Sequence, residues 1–134
     1  VAARRLGYEV AVAARRDTQA DRLAEEMHVD SLAWNDVASS EADLYVNATP
    51  LGSSDGDRSA VPKTVLENRP LVFDCVYRAN GETPTIAAAL AARCPVVRGL
   101  RMFAAQAVRQ ARLFGVADAR LEEVEDLLPA GARA

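Results

Sequence analysis

Leu44-Tyr45-Val46-Asn47-Ala48-Thr49-Pro50-Leu51-Gly52 is the stretch that decides the fold. Leu44 to Asn47 has strand character and runs without a spacer into a polar turn punctuated by Pro50 and Gly52. In an open α/β sheet, ligands bind outside the carboxyl ends of the strands. A turn there offers backbone donors and small amide or hydroxyl groups. The same residues also suit a self-satisfied Asx-type turn.

Outward from this strand, helical and strand patterns alternate. Val1 to Leu6 reads as the last turns of a helix stopped by Gly7, and Glu9 to Ala13 as a short buried strand. Thr18 with Asp21 resembles a capping box opening a helix through about Met27. A short helical turn follows around Val37, begun by Ser31 or Asn35. Gly52 to Ala60 reads as an irregular loop, Val65-Leu66 as part of a short helix, and Leu71 to Phe73 as an apolar strand ending at Asp74. Thr83-Pro84 is a strong helix start, because Thr caps and Pro tolerates the first helical position. That helix ends near Arg93. Pro95 to Val97 is a strand, Gly99 to Phe114 a helix stopped by Gly115, and Asp118 to Leu128 a last helix ended by Pro129. The alternation predicts an α/β fold: a partial, Rossmann-like, doubly wound parallel sheet with helices on both faces. No composition break or linker divides the chain, which reads as one domain.

Composition excludes several function classes. The chain has 134 residues, 50% of them hydrophobic and 26% charged, with a formal net charge of −3. Nothing global favours nucleic acid or an anionic membrane. No run of ~18 apolar residues exists to span a bilayer. Cys75 and Cys94 lie far apart with no metal-ligand spacing around them, and read as reduced thiols of a cytoplasmic protein. The opening Val-Ala-Ala-Arg-Arg falls inside a helical pattern, which suggests the interior of a longer sequence.

Ala14-Arg15-Arg16 follows the Glu9 to Ala13 strand. In dinucleotide sheets an acidic residue there grips the ribose 2′-hydroxyl of NAD, whereas Arg accommodates the 2′-phosphate of NADP. A guanidinium fork pairs two phosphate oxygens and stays charged. The alternative is a solvated loop carrying two surface arginines. On the Gly99 helix, Met102 and Gln106 are four apart and share a face, while Leu100, Phe103, Ala104, Ala107, Ala111 and Phe114 form a separate apolar stripe. Gln106 is thus outside the packing pattern and can both donate and accept. Asp74 reads as a structural residue bonding turn amides. His28 reads as a surface or capping residue; Asp17, Trp34, Lys63 and the Glu122-Glu123-Glu125-Asp126 run read as capping, packing and solvated faces. No paired carboxylates and no metal site emerge.

Three segments in order, Asn47-Ala48-Thr49, Asp74-Cys75-Val76-Tyr77 and Gly99-Leu100-Arg101-Met102 through Gln106, resemble the carboxy-terminal, NADP-binding part of the shikimate dehydrogenase family. The family turn Asn-Arg-Thr matches here at Arg15, with Ala14 and Arg16 in the flanking places. The resemblance implies a cofactor site made by Ala14, Arg15, Arg16, Asn47, Ala48, Thr49, Cys75, Gly99 and Met102. It implies substrate contacts from Tyr77 and Gln106 to shikimate or 3-dehydroshikimate. No catalytic residue is expected in these residues: the family's Lys and Asp belong to an amino-terminal substrate domain. The sheet's first strand and glycine-rich loop would precede Val1. Glu9 to Ala13 would then be strand two and Leu44 to Asn47 strand four, each with an open edge. A homodimer is left open. Two alternatives stand: a quinate/shikimate dehydrogenase using NAD, and a non-catalytic nucleotide-binding or oligomerisation module.

Overall fold

The computed structural model describes residues 2–78 and 81–128, so Val1 and Pro129, expected to begin and end the chain's helical pattern, lie outside the described residues. The chain forms two compact units, Val1–Glu41 and Ala42–Ala134.

In the first unit, α1 (Ala2–Arg5) ends before Gly7, whose φ of +87° supplies the left-handed turn. Strand β1 (Ala11–Val12) leads into α2 (Asp17–Met27), then β2 (Asp30–Ser31), which pairs in parallel with β1. A 3-10 helix over Trp34–Ser39 closes the unit. Three expectations need correction. β1 is shorter than Glu9 to Ala13, because only two residues find ladder partners on the short β2. Helix α2 starts a residue before Thr18, with Arg16 at the N-cap and no side-chain cap, so the Thr18–Asp21 capping box does not form. β2 itself is unforeseen: Asp30 and Ser31 are both exposed, so no apolar signal marks them. His28 does cap α2, with a left-handed φ of 53°.

The second unit holds β3 (Leu44–Asn47), α3 (Lys63–Leu66), β4 (Leu71–Asp74), α4 (Pro84–Ala91), β5 (Val96–Arg98), α5 (Gly99–Leu113) and α6 (Leu121–Asp126). The sheet order is β3-β4-β5, all parallel. Tyr45, Val72 and Val96 stand in register across it. They face a core of Val61, Val65, Leu66, Ala89 and Cys94, so α3 and α4 cover that side. The opposite row, Val46, Phe73 and Val97, is only partly covered. Thr83 caps α4 by accepting from the Ile86 N–H, with Pro84 in the first turn, as the sequence predicts. The buried side of α5 is Gly99, Ala104 and Val108; Phe103 and Phe114, placed by patterning in the apolar stripe, are exposed instead.

The fold is α/β with open parallel sheets, helices on both faces and a partial Rossmann-like topology. The first unit contributes a parallel pair, β1-β2, and the second a parallel run, β3-β4-β5. Among the described residues no helix is long and apolar enough to cross a membrane.

Candidate functional site at the strand ends

The strand ends of the second unit are joined by one buried carboxylate. Asp74, last residue of β4, is 0% exposed. Its Oδ1 accepts from Asn47 Nδ2 at 2.8 Å and from the Val76 N–H at 3.1 Å. Its Oδ2 accepts from the Thr83 hydroxyl at 2.5 Å. A buried charge is tolerated only when its acceptor sites are filled, and these three donors come from three chain segments. Asp74 thus ties the turn after β3, the exit of β4 and the cap of α4. That is the structural role its position suggested.

The Asn47 turn is self-contained. Asn47 Nδ2 also donates to the Leu51 carbonyl at 3.0 Å, and its Oδ1 accepts from the Thr49 N–H at 3.0 Å and the Thr49 hydroxyl at 2.7 Å. The Thr49 hydroxyl accepts in turn from the Leu51 N–H at 3.2 Å. These side chains are engaged with the protein, which leaves shape and backbone as what the turn presents; Ala48 and Thr49 are exposed. Beyond it, Asp57 accepts from the Gly52 and Ser54 N–H groups at 3.0 and 2.9 Å. These bonds, Ser54's foremost, hold its carboxyl below the ordinary 3.8. The Arg78 guanidinium pairs with Asp55 of the same loop.

Beyond the end of β4, the Cys75 N–H donates to the Asn47 carbonyl at 2.9 Å. Cys75 is half-buried; burial, then the neighbouring Asp74 charge, pushes its thiol up. Gly99, first residue of α5, lies directly against this segment. A Cβ there would stand 2.6 Å from the Cys75 carbonyl oxygen and 2.8 Å from that of Val76. The contact permits only glycine, so two backbones meet where any larger residue would part them. The preceding Arg98 makes a forked ion pair with Glu82, with Nε–Oε1 at 3.0 Å and Nη2–Oε1 at 2.9 Å. That pair ties the start of α5 to the residue before the Thr83 cap. Neither the pair nor the Asp57 bonds to the loop amides is legible in the sequence, since neither has a periodic signature. The Ser-Gly-rich loop itself was the one available hint at Asp57.

Asn47 to Thr49, Cys75, Tyr77 and Gly99 are therefore gathered at the carboxyl ends of β3, β4 and β5. Met102 is half-buried and Gln106 exposed on α5. Ala14, Arg15 and Arg16 stand in the other unit, beyond the carboxyl end of β1 and at the start of α2. Both arginines are exposed, and Arg16 Nη2 reaches Gln19 Oε1 at 3.4 Å. The neighbouring Asp17 accepts from the Trp34 N–H at 3.4 Å. Two exposed arginines thus stand beside a helix start, together with the exposed carboxylate of Asp17. Among the described residues no cluster of His, Cys, Asp or Glu could hold a metal.

No family model matches the chain. The chain is 34% identical over 109 residues to the shikimate dehydrogenase (NADP(+)) of Maridesulfovibrio salexigens, an alignment covering 79% of this chain and 39% of that protein. It is similar in structure to the shikimate 5-dehydrogenase of Thermus thermophilus, solved in complex with NADP(H) and shikimate: TM-score 0.80, 30% identity, covering 92% of this chain and 46% of that one. It is also similar to the quinate dehydrogenase of Corynebacterium glutamicum in complex with NAD, with TM-score 0.75 and 28% identity, over 87% of this chain and 44% of that one. The chain spans about two fifths of the length of the curated relatives and under half of the solved ones. With the strand order, the three motifs and these likenesses in agreement, the chain belongs to the shikimate dehydrogenase family.

Proposed function

We propose that these residues form the carboxy-terminal, NADP-holding part of a shikimate dehydrogenase acting in aromatic amino-acid biosynthesis in the cytoplasm. The observation that carries the reading is the convergence of Asn47 to Thr49, Cys75, Tyr77 and the Gly99 helix at three adjacent strand ends. Arg15 and Arg16 bind the 2′-phosphate of the cofactor. The Asn47 turn, Cys75, Gly99 and Met102 line its nicotinamide end, and Tyr77 and Gln106 hydrogen-bond the substrate. NADP, when bound, accepts hydride from the carbon bearing the substrate hydroxyl, which gives 3-dehydroshikimate. The hydroxyl proton leaves to a base outside these residues, in the substrate domain that the family resemblance implies.

Use of NAD is the competing reading, favoured by the likeness to the quinate dehydrogenase. Against it stand the two exposed arginines after β1, where an acidic residue would be expected for NAD. The test is a titration of the protein, as its gene encodes it, with NADPH and NADH, paired with an assay of shikimate oxidation. Tighter binding of NADPH and turnover with NADP are expected. Preference for NADH overturns the cofactor assignment, and absence of any nucleotide binding leaves the reading of a non-catalytic module.

A further inference from the structure

The apolar patterning of α5 puts Phe103 among its packing residues, but 42% of Phe103 is exposed. Its ring centre stands 5.7 Å from that of Tyr77, with the planes tilted by 45°. Tyr77 is itself 49% exposed, so the two rings touch at the surface and outside the hydrophobic core. Aromatic pairs at such separations favour tilted and offset geometries, because the edge of one ring is drawn to the face of the other. The contact joins the exit of β4 to the second turn of α5. Three residues along α5 from Phe103 is Gln106, a neighbouring position on the helix surface. Phe103 therefore touches one of the two side chains to which substrate contact is assigned above and is three residues from the other on the same helix.

We propose that Phe103 determines substrate specificity: it positions the Tyr77 phenol and presents an apolar wall to the substrate ring. The inference rests on the substrate lying at Tyr77 and Gln106. An aromatic face offers no hydrogen-bond partner, so a hydroxyl buried against it loses water without replacement. A flat, unsaturated ring carbon incurs no such loss. The wall thus favours a cyclohexene carboxylate such as shikimate over a saturated ring such as quinate, which carries an added hydroxyl on the carbon bearing the carboxylate. Apolar walls reject an added hydroxyl by at most about a hundredfold, which bounds the effect.

The experiment compares kcat/KM for shikimate and quinate at saturating cofactor in the protein as its gene encodes it, with Phe103→Ser and Phe103→Leu. Ser opens the wall and supplies a hydroxyl; Leu keeps apolar bulk and removes the ring. In Phe103→Ser the shikimate-to-quinate ratio should fall by roughly ten- to a hundredfold. In Phe103→Leu it should fall less, while KM for shikimate rises because Tyr77 loses its partner. A ratio unchanged in both variants, with the unsubstituted protein active, overturns the specificity role and leaves the function intact. Should Phe103→Ser fold poorly, the Leu variant and the ring-proton resonances of Tyr77, which feel the Phe103 ring current, decide the positioning role. An unsubstituted protein inactive on both substrates overturns the functional reading and this inference together.

Discussion

Single atoms carry several roles in this site. Arg15→Ala should weaken NADPH binding and leave NADH nearly unchanged, because only the former bears the 2′-phosphate. A lost charge-assisted contact costs about 1.5–3 kcal/mol, or roughly ten- to a hundredfold in affinity; equal losses in paired titrations would remove the phosphate assignment. Gly99→Ala tests the closest backbone approach. Its new Cβ would stand 2.6 Å from the Cys75 carbonyl oxygen, and rigid main chain on both sides must shift. Overpacking of this kind costs about 1–3 kcal/mol, readable as a lowered melting temperature with shifted Cys75 and Val76 amide resonances. Asp57 titrates with a sign that can be worked out. Bonds from Ser54 and Gly52 lower its folded pKa beneath 3.8, so its stabilisation is present above the unfolded value and is lost as pH falls through the folded one. The unsubstituted protein should therefore exceed Asp57→Asn in stability near neutral pH, with the gap closing below pH 3.8; a gap that persists in acid would show that charge is not the cause.

At the scale of elements, what was legible followed from local chemistry. β3 was readable to the residue, because its apolar run stops at Asn47 and a Pro-Gly turn. α4 was readable because Thr83 and Pro84 each act within a few residues of themselves. β2 was not, since two exposed polar residues gain their strand character only by pairing with β1. The N-terminus of α2 was not legible either, because its start is set by Arg16 backbone geometry with no side-chain cap. In the site, Asp74 was legible as structural; its union with Thr83 was not, for the two meet only when β4 and α4 pack. That union makes Thr83→Ala more costly than an ordinary cap loss, which is about 0.5–2 kcal/mol. The variant also strips a donor from a fully buried carboxylate, a further cost of about 1–3 kcal/mol. Thr83→Ser keeps the hydroxyl and should restore most of the loss in chemical denaturation. Equal destabilisation by Ala and Ser would mean that the methyl, and not the hydrogen bonds, matters at this position.

For the whole molecule, the decisive feature is what the strand ends and edges face. Among the described residues, β3 pairs with β4 on one side and with no strand on its other edge. Leu44 and Val46 on that strand are 44% and 50% exposed. An edge strand with exposed apolar side chains is a template for pairing with another chain. In the order 3-2-1-4-5-6, the neighbour of strand four on that edge is strand one. The relatives are more than twice the aligned length, and the base that takes the substrate proton is assigned above to residues outside these. A preparation limited to these 134 residues should therefore show no oxidation of shikimate with NADP. It should also self-associate as its concentration rises. Val46→Lys places a charge on the exposed edge and should reduce that association, by the means natural edge strands use, while leaving the Tyr45–Val72–Val96 side of the sheet intact. Sedimentation velocity over a concentration series reads the first effect, and a spectrophotometric assay of NADPH formation reads the activity. A monomeric preparation of this length that oxidises shikimate would overturn the argument at both points, because it would have to hold its own proton acceptor and keep a bare apolar edge in water.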